Sequence, residues 1–423
     1  MYEESIKNPD IMMVILELYR VDALARIDGY YDHFPPKEKN VSIEEIETKN
    51  EGRGPAKVHV LVASKDFKAG EEIYKESPII SALDPSVQSA KTHCSQCMRK
   101  VQTDMTISPE SDLLDSVYCS KKCQLDAKAQ SQNFLFGLEP PVPLDIIPLP
   151  ITADTQSARK EAQTSFVDYL KRTSKVGPLL VARLVATQIG YELAKAVNPQ
   201  LASSFTGHPG SNSNSPYSIN DHLERLRYLQ MTVPDAESTL SRNLFKKTLL
   251  DFGEEHSTLR HIVIRGKIAY NAIGVCFPGD ETTKATERPE DVERTRTPYG
   301  TSKQVGCGLY FVSSYLGHSC EPSVRPSFSH GTSELRLIAN RRIEKGEQLT
   351  MSYVDVSQRP GESISAARTR RRYEIARGWR FACECPKCVR EAGKKDESLS
   401  DLTASGSRVE HVTRHADQTS RAS

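Results

Sequence analysis

The residues best suited to chemistry in this 423-residue chain are its ten cysteines, seven of which fall in two clusters. The first cluster pairs Cys94 and Cys97 with Cys119 and Cys123, in CxxC and CxxxC spacings. A CxxC turn wraps two thiolates around one ion, and four thiolates fill the tetrahedral coordination sphere of Zn²⁺. The spacing therefore predicts a structural zinc site, with His93 as a weaker alternative ligand.

A second concentration of polar and thiol residue types lies between Gly306 and Arg325, around the run LGHSCEP at residues 316–322. Two strand-like segments follow, at 335–339 and 348–353, with a glycine turn between them. The run CECPKC at residues 383–388 forms the second cysteine cluster. Because clustered spacings in a chain with no recognisable export signal favour metal sites over disulfides, this cluster also predicts a metal site.

These motifs resemble the SET domain and its post-SET cysteines, whose family pattern reads NHSC…GEELTxSY…FxCxCxxC. The sequence is similar to the subfamily that pairs SET with a MYND-type zinc finger, which includes fungal histone-lysine methyltransferases. The resemblance implies an α+β chain with a mostly β SET fold, an inserted MYND-like zinc finger, a helical insertion and a post-SET zinc site. It also implies protein-lysine methylation that uses S-adenosylmethionine, with histone tails as the leading substrate class.

The resemblance assigns roles to single residues of the chain. Tyr353 matches the active-site tyrosine, while Tyr310 and Trp379 match aromatic residues of the lysine channel. The positions that match cofactor-binding residues are Gly52, Arg53, Gly54, Asn271, Gly317, His318 and Phe381. For the aromatic residues, packing in the core is the competing interpretation.

The resemblance also implies a ligand set for each of two structural zinc ions. Cys320 would join Cys383, Cys385 and Cys388 in the post-SET site and staple the C-terminal segment over the active site. The first cluster would form a reduced MYND-like finger that holds one zinc ion, because the inner CxxC and the terminal His/Cys pair of that family are missing. Protein partners could bind through this finger.

Three features depart from the family pattern. Gly317 and Ser323 stand where asparagine is usual, and residues 55–60 look inserted directly after the Gly52–Gly54 loop. The lost asparagine would weaken the hold on S-adenosylmethionine. The alternative hypothesis is therefore a catalytically weak or inactive SET and zinc-finger scaffold for protein interactions.

The domain organisation follows from these motifs and from local patterns. Residues 1–50 are expected to form an apolar helix and a charged linker, and residues 278–303 an exposed insertion. The arginines between 368 and 377 read as the solvated face of a helix, with docking to acidic surfaces as the alternative. The segments expected in order are 51–90 (SET N-terminal part), 91–135 (finger), 136–260 (helical insertion), 261–358 (SET core), 359–392 (post-SET) and 393–423 (disordered tail).

Composition limits the class of protein. A net charge of +1 and 26% charged residues give no reason to expect bulk nucleic-acid binding. Neither cysteine cluster has the two-Cys, two-His spacing of DNA-reading fingers, so no sequence-specific nucleic-acid contact is expected. The longest apolar run, 11–18, is too short to cross a bilayer. We expect no membrane association and a location in the nucleus, the cytoplasm or both.

Overall fold

The computed structural model describes residues 29–50, 54–102, 106–109, 112–137, 152–197, 219–246, 258–278, 293–299 and 304–392. The apolar run 11–18 and the tail 393–423 lie outside these residues, as do Gly52 and Arg53. Short strands and a block of helices share a large apolar core, and a smaller apolar cluster lies around Cys94, Tyr118 and Ala127, which confirms the α+β class. No helix in the described ranges is both long and apolar enough to span a bilayer.

Within the described ranges the strands form four small sheets. Strand β1 pairs antiparallel with β2, β3 and β8 flank β9, β4 and β5 flank β6, and β7 runs parallel to β10. Their bounds are β1 Val41–Asn50, β2 Gly54–Ala63, β3 Glu72–Glu76, β4 Ile80–Leu83, β5 Ile273–Val275, β6 Gly306–Leu309, β7 Gly317–His318, β8 Val324–Ser327, β9 Leu335–Ala339 and β10 Thr350–Met351. Several small sheets in place of one large sheet allow loops from distant parts of the chain to meet at their ends.

Residues 41–50, which were expected to belong to a charged linker, form strand β1 of a hairpin with β2. Residues 41–50 form a ten-residue strand that pairs with β2 over its whole length, from Val41 opposite Ala63 to Asn50 opposite Gly54. The base of the hairpin is fixed to the core, where the Leu61 carbonyl accepts from the Leu349 amide at 2.8 Å. The linker prediction failed for this segment because the mixed polar sequence of β1 forms a strand by pairing with β2, which its own pattern does not reveal.

Five of the described helices, between residues 153 and 271, form a helical block. Two short helices precede the finger cysteines, two follow them, and two lie at the C-terminal end of the described residues. Helix α5 begins at a capping box in which Thr152 and Thr155 satisfy each other's backbone amides, and Pro178 lies in the first turn of α6. The bounds are α1 Tyr30–His33, α2 Pro85–Ala90, α3 Lys121–Ala127, α4 Asn133–Phe136, α5 Ala153–Thr173, α6 Gly177–Val197, α7 Ile219–Arg225, α8 Asp235–Lys246, α9 Thr258–Asn271, α10 Ile364–Trp379 and α11 Pro386–Arg390. A π-helical turn, Lys128–Gln132, joins α3 to α4.

One predicted strand is shorter than expected. The segment 348–353 contributes only Thr350 and Met351 to the β10 ladder. Tyr353 leaves that ladder because its backbone amide donates to the His318 ring at 3.1 Å.

Two segments expected to face solvent are partly buried. Within 278–303 the structure describes 293–299, and there Thr295, Arg296 and Thr297 are buried. In helix α10, Arg368 and Arg371 are buried as well. These predictions were wrong at those positions because local charge was read as exposure, whereas tertiary contacts supply partners for the buried guanidinium groups.

One buried carboxylate holds the approach to the β6–β7 connection. Glu76, 9% exposed, accepts from the backbone amides of Val312 and Ser313 at 2.8 and 3.0 Å and from the Ser313 hydroxyl at 2.7 Å. These contacts fix the 3-10 turn Ser313–Tyr315 that leads into β7. Since a buried carboxylate that accepts backbone amides replaces lost hydration, its removal leaves those donors without a partner.

The first prediction concerns this carboxylate. Glu76→Ala lowers the free energy of unfolding by about 3 kcal/mol, since it strands two buried amides and leaves the Ser313 hydroxyl with Tyr74 as its partner. Glu76→Gln loses less, because an acceptor oxygen remains. Denaturant unfolding of the zinc-loaded chain measures the change. The control Glu72→Ala removes an exposed carboxylate from the same strand as Glu76, where it pairs with Arg336 of β9, and costs about 0.5 kcal/mol or less. An equal effect of the two alanine variants would contradict the role given to Glu76.

Candidate functional site

The site is organised around Tyr353, directly after β10. Thr350 lies opposite Gly317 and Met351 opposite His318 in the parallel pair, and the Ser319 amide donates to the Met351 carbonyl at 3.0 Å. The Tyr353 hydroxyl donates to the Leu316 carbonyl at 2.5 Å. One short crossing of two chain segments therefore fixes the tyrosine at both its backbone and its hydroxyl.

The His318 ring lies between Tyr353 and the second cysteine cluster. Its Nδ1 accepts from the Tyr353 amide, and its Nε2 lies 3.4 Å from the Cys320 sulfur. Burial lowers the pKa of His318 to about 4. The imidazole is therefore neutral at physiological pH, which its role as an acceptor at Nδ1 requires.

Two aromatic residues from the end of α10 complete one side of the site. The Trp379 ring lies 5.2 Å from the Tyr353 ring, and its indole N–H donates to the Tyr270 carbonyl at 3.1 Å. The Phe381 ring is half-buried and lies 6.2 Å from the His318 ring. The structure thus brings together four of the predicted residues: Tyr353, His318, Trp379 and Phe381.

Gly317 leaves space next to these residues. A Cβ atom built at this position would meet only the terminal amide nitrogen of Gln348, at 3.1 Å, and the Thr350 methyl group at 4.0 Å. Gln348 has a flexible side chain, so the backbone here can carry a larger residue. The glycine therefore reflects no steric requirement that the structure shows.

Other predicted residues lie apart from this group. Gly54 opens β2 at the far end of the hairpin, seven residues from Leu61, or ~23 Å along an extended strand. Tyr310 is fully buried, donates to the Ser333 carbonyl at 2.6 Å and contacts Phe328. Neither residue touches Tyr353 in any contact that the structure describes, so their cofactor and channel roles stay predictions.

Asn271 reaches the site through a residue that the sequence analysis missed. Its amide nitrogen donates to the Arg227 and Lys267 carbonyls at 2.7 and 2.8 Å, and its oxygen accepts from Arg296 at 2.9 Å. The Asn271 side chain is therefore engaged by protein groups, and a contact with a cofactor stays a prediction.

Arg296 is fully buried, and its guanidinium carbon lies 4.4 Å from the centre of the Tyr353 ring. It comes from the segment 278–303 that was expected to be an exposed insertion. The local signal for burial in the sequence is the pair of small polar residues, Thr295 and Thr297, on either side of Arg296, because the residues before them are mostly charged.

The two cysteine clusters are both present as compact groups of four sulfurs, each group within 4.8 Å. Their members are Cys94, Cys97, Cys119 and Cys123 in the finger cluster and Cys320, Cys383, Cys385 and Cys388 in the post-SET cluster. Sulfur pairs at 3.6 to 3.8 Å occur in both. A tetrahedral zinc with Zn–S bonds of about 2.3 Å sets its sulfurs ~3.8 Å apart, whereas a disulfide requires about 2.05 Å. Both clusters therefore fit a metal ion.

The surroundings of the post-SET cluster suit a charged metal–thiolate centre. Arg371, 1% exposed, lies beside Cys320 and pairs with Glu391. The Arg368 guanidinium donates to the Cys388 carbonyl at 2.8 Å. Because four thiolates around Zn²⁺ carry a net charge of −2, the buried arginines offset that charge.

Comparisons with known proteins identify the family of this chain. The SET domain family model matches residues 59–354, well over half of the chain. A SET and MYND domain-containing protein of Dictyostelium discoideum is 33% identical over 94 residues, 22% of this chain and 16% of that protein.

Two further relatives carry enzyme names. Protein-lysine N-trimethyltransferase SMYD5 of Gallus gallus is 36% identical over 91 residues, 22% of this chain and 20% of that protein. Histone-lysine N-methyltransferase SET5 of Yarrowia lipolytica is 32% identical over 103 residues, 24% of this chain and 22% of that protein. The matched segment spans about a fifth of the length of these curated relatives. The extent of the family match, which ends at the residue after Tyr353, shows that the chain belongs to the SET domain family.

Proposed function

We propose that this protein transfers a methyl group from S-adenosylmethionine to the side-chain amine of a protein lysine, with histone tails as the substrate class. The observation that carries the proposal is that Tyr353, fixed through its hydroxyl, lies against His318 and Trp379, with Gly317 next to His318 in the chain and Phe381 near the His318 ring. Relatives named as protein-lysine and histone-lysine methyltransferases support the reaction and the substrate class.

The residues present fit the methyl donor. The half-buried Phe381 ring beside His318 offers an aromatic face for the adenine, and the space at Gly317 leaves backbone accessible next to it. S-adenosylmethionine, when bound there, would supply a methyl group bonded to a positively charged sulfur. That sulfur keeps the electron pair of the C–S bond when this bond breaks. Transfer forms the C–N bond, and the lysine must give up one proton because an ammonium group has no lone pair.

Each residue of the chain has a distinct part in this scheme. The Tyr353 hydroxyl orients the amine, and its rigid hold on the Leu316 carbonyl limits the geometries that the amine can adopt. The Trp379 ring, beside Tyr353, provides an aromatic wall that attracts a cationic lysine on entry. Neutral His318 keeps the crossing of β7 and β10 in place without adding a charge.

A catalytically weak scaffold is the second candidate, and two observations favour it. Gly317 lacks the side-chain amide expected at this position, and the Gly54 end of the hairpin lies far from the base that joins the core. Such a scaffold would use the finger as its contact with partner proteins. The two candidates differ in whether methyl transfer is detectable.

The test is methyl transfer from labelled S-adenosylmethionine to histone peptides. We expect the wild-type chain to transfer methyl groups and Tyr353→Phe to reduce the rate at least ~100-fold, because the orienting hydroxyl is lost. Tyr169→Phe is the matched control: it removes a buried tyrosine hydroxyl bound to Glu237 in the helical block and keeps the rate. No transfer by the wild type to any histone or other protein substrate would favour the scaffold.

We also propose that each cysteine cluster holds one structural Zn²⁺, so that zinc-loaded protein contains two ions. Cys385→Ser and Cys119→Ser are each expected to lose one ion, as measured by elemental analysis. Only Cys385→Ser shifts the emission of Trp379, the single tryptophan, to longer wavelength, since the post-SET zinc fixes the segment that carries Trp379 and Phe381. Two ions in both variants, or the same emission shift in both, would contradict this assignment.

A further inference from the structure

Arg296 connects the elements that meet around Tyr353. Its side chain donates to the Tyr270 carbonyl at 2.8 Å, the Ser314 carbonyl at 2.9 Å and the Asn271 side-chain oxygen at 2.9 Å. Its backbone amide donates to the Ala272 carbonyl at 2.8 Å, and the next residue, Thr297, donates to the Tyr353 carbonyl at 3.2 Å. All three guanidinium nitrogens thus have protein acceptors, and the guanidinium has a single position.

No carboxylate forms an ion pair with Arg296 in the part of the chain that the structure describes. The groups that face it and Tyr353 are Tyr270 from the end of α9, His318 from β7 and a second cation, Arg227, which donates to the Tyr270 hydroxyl at 3.4 Å. His318 is neutral, for the reason given above. The negative charge of the post-SET thiolates lies on the other side of the His318 ring, whereas the Arg296 guanidinium lies directly against the Tyr353 ring.

We propose that Arg296 is a positioning residue whose fixed positive charge promotes loss of a proton from Tyr353 and from an amine held beside it. The proposal rests on the proposed function for the amine, but not for the tyrosine. A buried charge within about 5 Å favours the tyrosinate over the phenol and the neutral amine over the ammonium. At an effective dielectric constant of about 20, the Coulomb interaction corresponds to roughly two pH units, so we expect a shift of at least about one unit.

The electrostatic directions agree with this role. Burial raises the pKa of Tyr353 to about 12, and the Arg296 charge opposes that increase. Burial and the nearby Glu76 carboxylate raise the pKa of Tyr310, which is fully buried and has no guanidinium on its ring in the contacts described. The two tyrosines therefore have opposite charges beside them, a guanidinium at Tyr353 and a carboxylate at Tyr310.

The first test is the pH dependence of methyl transfer at saturating substrate. The rate is expected to rise with pH, and we call this rise the rising limb of the profile. Arg296→Met is expected to move the rising limb to higher pH by about one unit. Arg296→Lys keeps the positive charge, so its rising limb stays at the same pH while its rate is lower. Arg159→Met is the matched control, since Arg159 is also buried and binds three backbone carbonyls in the helical block. The control destabilises the fold but leaves the limb in place. A limb that stays in place in Arg296→Met would overturn the proposal.

The second test does not need methyl transfer. Site-specific 3,5-difluorotyrosine, which ionises at lower pH than tyrosine, is placed at 353 in the zinc-loaded wild type, in Arg296→Lys and in Arg296→Met, and is titrated by ¹⁹F NMR. We expect the residue at 353 to ionise at least about one pH unit higher in Arg296→Met than in the wild type and in Arg296→Lys. Ionisation at the same pH in all three chains would overturn the proposal. If the chain transfers no methyl groups, this result still decides the role of Arg296, so the two proposals fail separately.

Discussion

Two hydrogen bonds fix Tyr353, and the rest of the site depends on them. The backbone amide reaches the His318 ring and the hydroxyl reaches the Leu316 carbonyl, so both ends of the residue are tied to β7 and the residue before it. That strand pairs with β10 through only two residues, Thr350 and Met351. A ladder so short cannot hold its own geometry, and the side-chain contacts of Tyr353 and His318 complete it.

Groups outside the crossing keep it rigid. On one side, Glu76 fixes the turn that enters β7, and on another the post-SET cluster holds Cys320 two residues beyond His318. Buried arginines are a recurrent element: Arg371 beside the post-SET sulfurs and Arg296 beside Tyr353. A buried arginine costs desolvation, which backbone and side-chain acceptors offset for Arg296 and the Glu391 carboxylate offsets for Arg371.

Much of the site could be predicted from sequence, because its motifs are local. The CxxC and CxCxxC spacings and the SY pair after a strand place chemistry-bearing residues within a few positions of one another. The structure brings Cys320 to the CxCxxC cysteines and sets Trp379 and Phe381 beside Tyr353 and His318. The family match confirms the SET fold behind those motifs.

What could not be predicted depends on contacts between distant segments. Arg296 reads as one more charge in a polar segment, and its burial follows only from acceptors at Tyr270, Asn271 and Ser314. Strand β1 is visible only through its pairing with β2, and the buried face of α10 only through the cluster it covers. In each case the residues that decide pairing or burial lie in a distant segment, so the local sequence pattern does not show them.

The most direct test of the account is calorimetric titration of S-adenosylmethionine into the zinc-loaded chain, beside a Gly317→Asn variant. The account predicts saturable binding of one molecule per chain by the wild type. It predicts binding at least as tight by the variant, since only the flexible Gln348 amide must move to admit the asparagine. Absence of binding by both would contradict the claim that the surroundings of Tyr353 form a methyl-donor site.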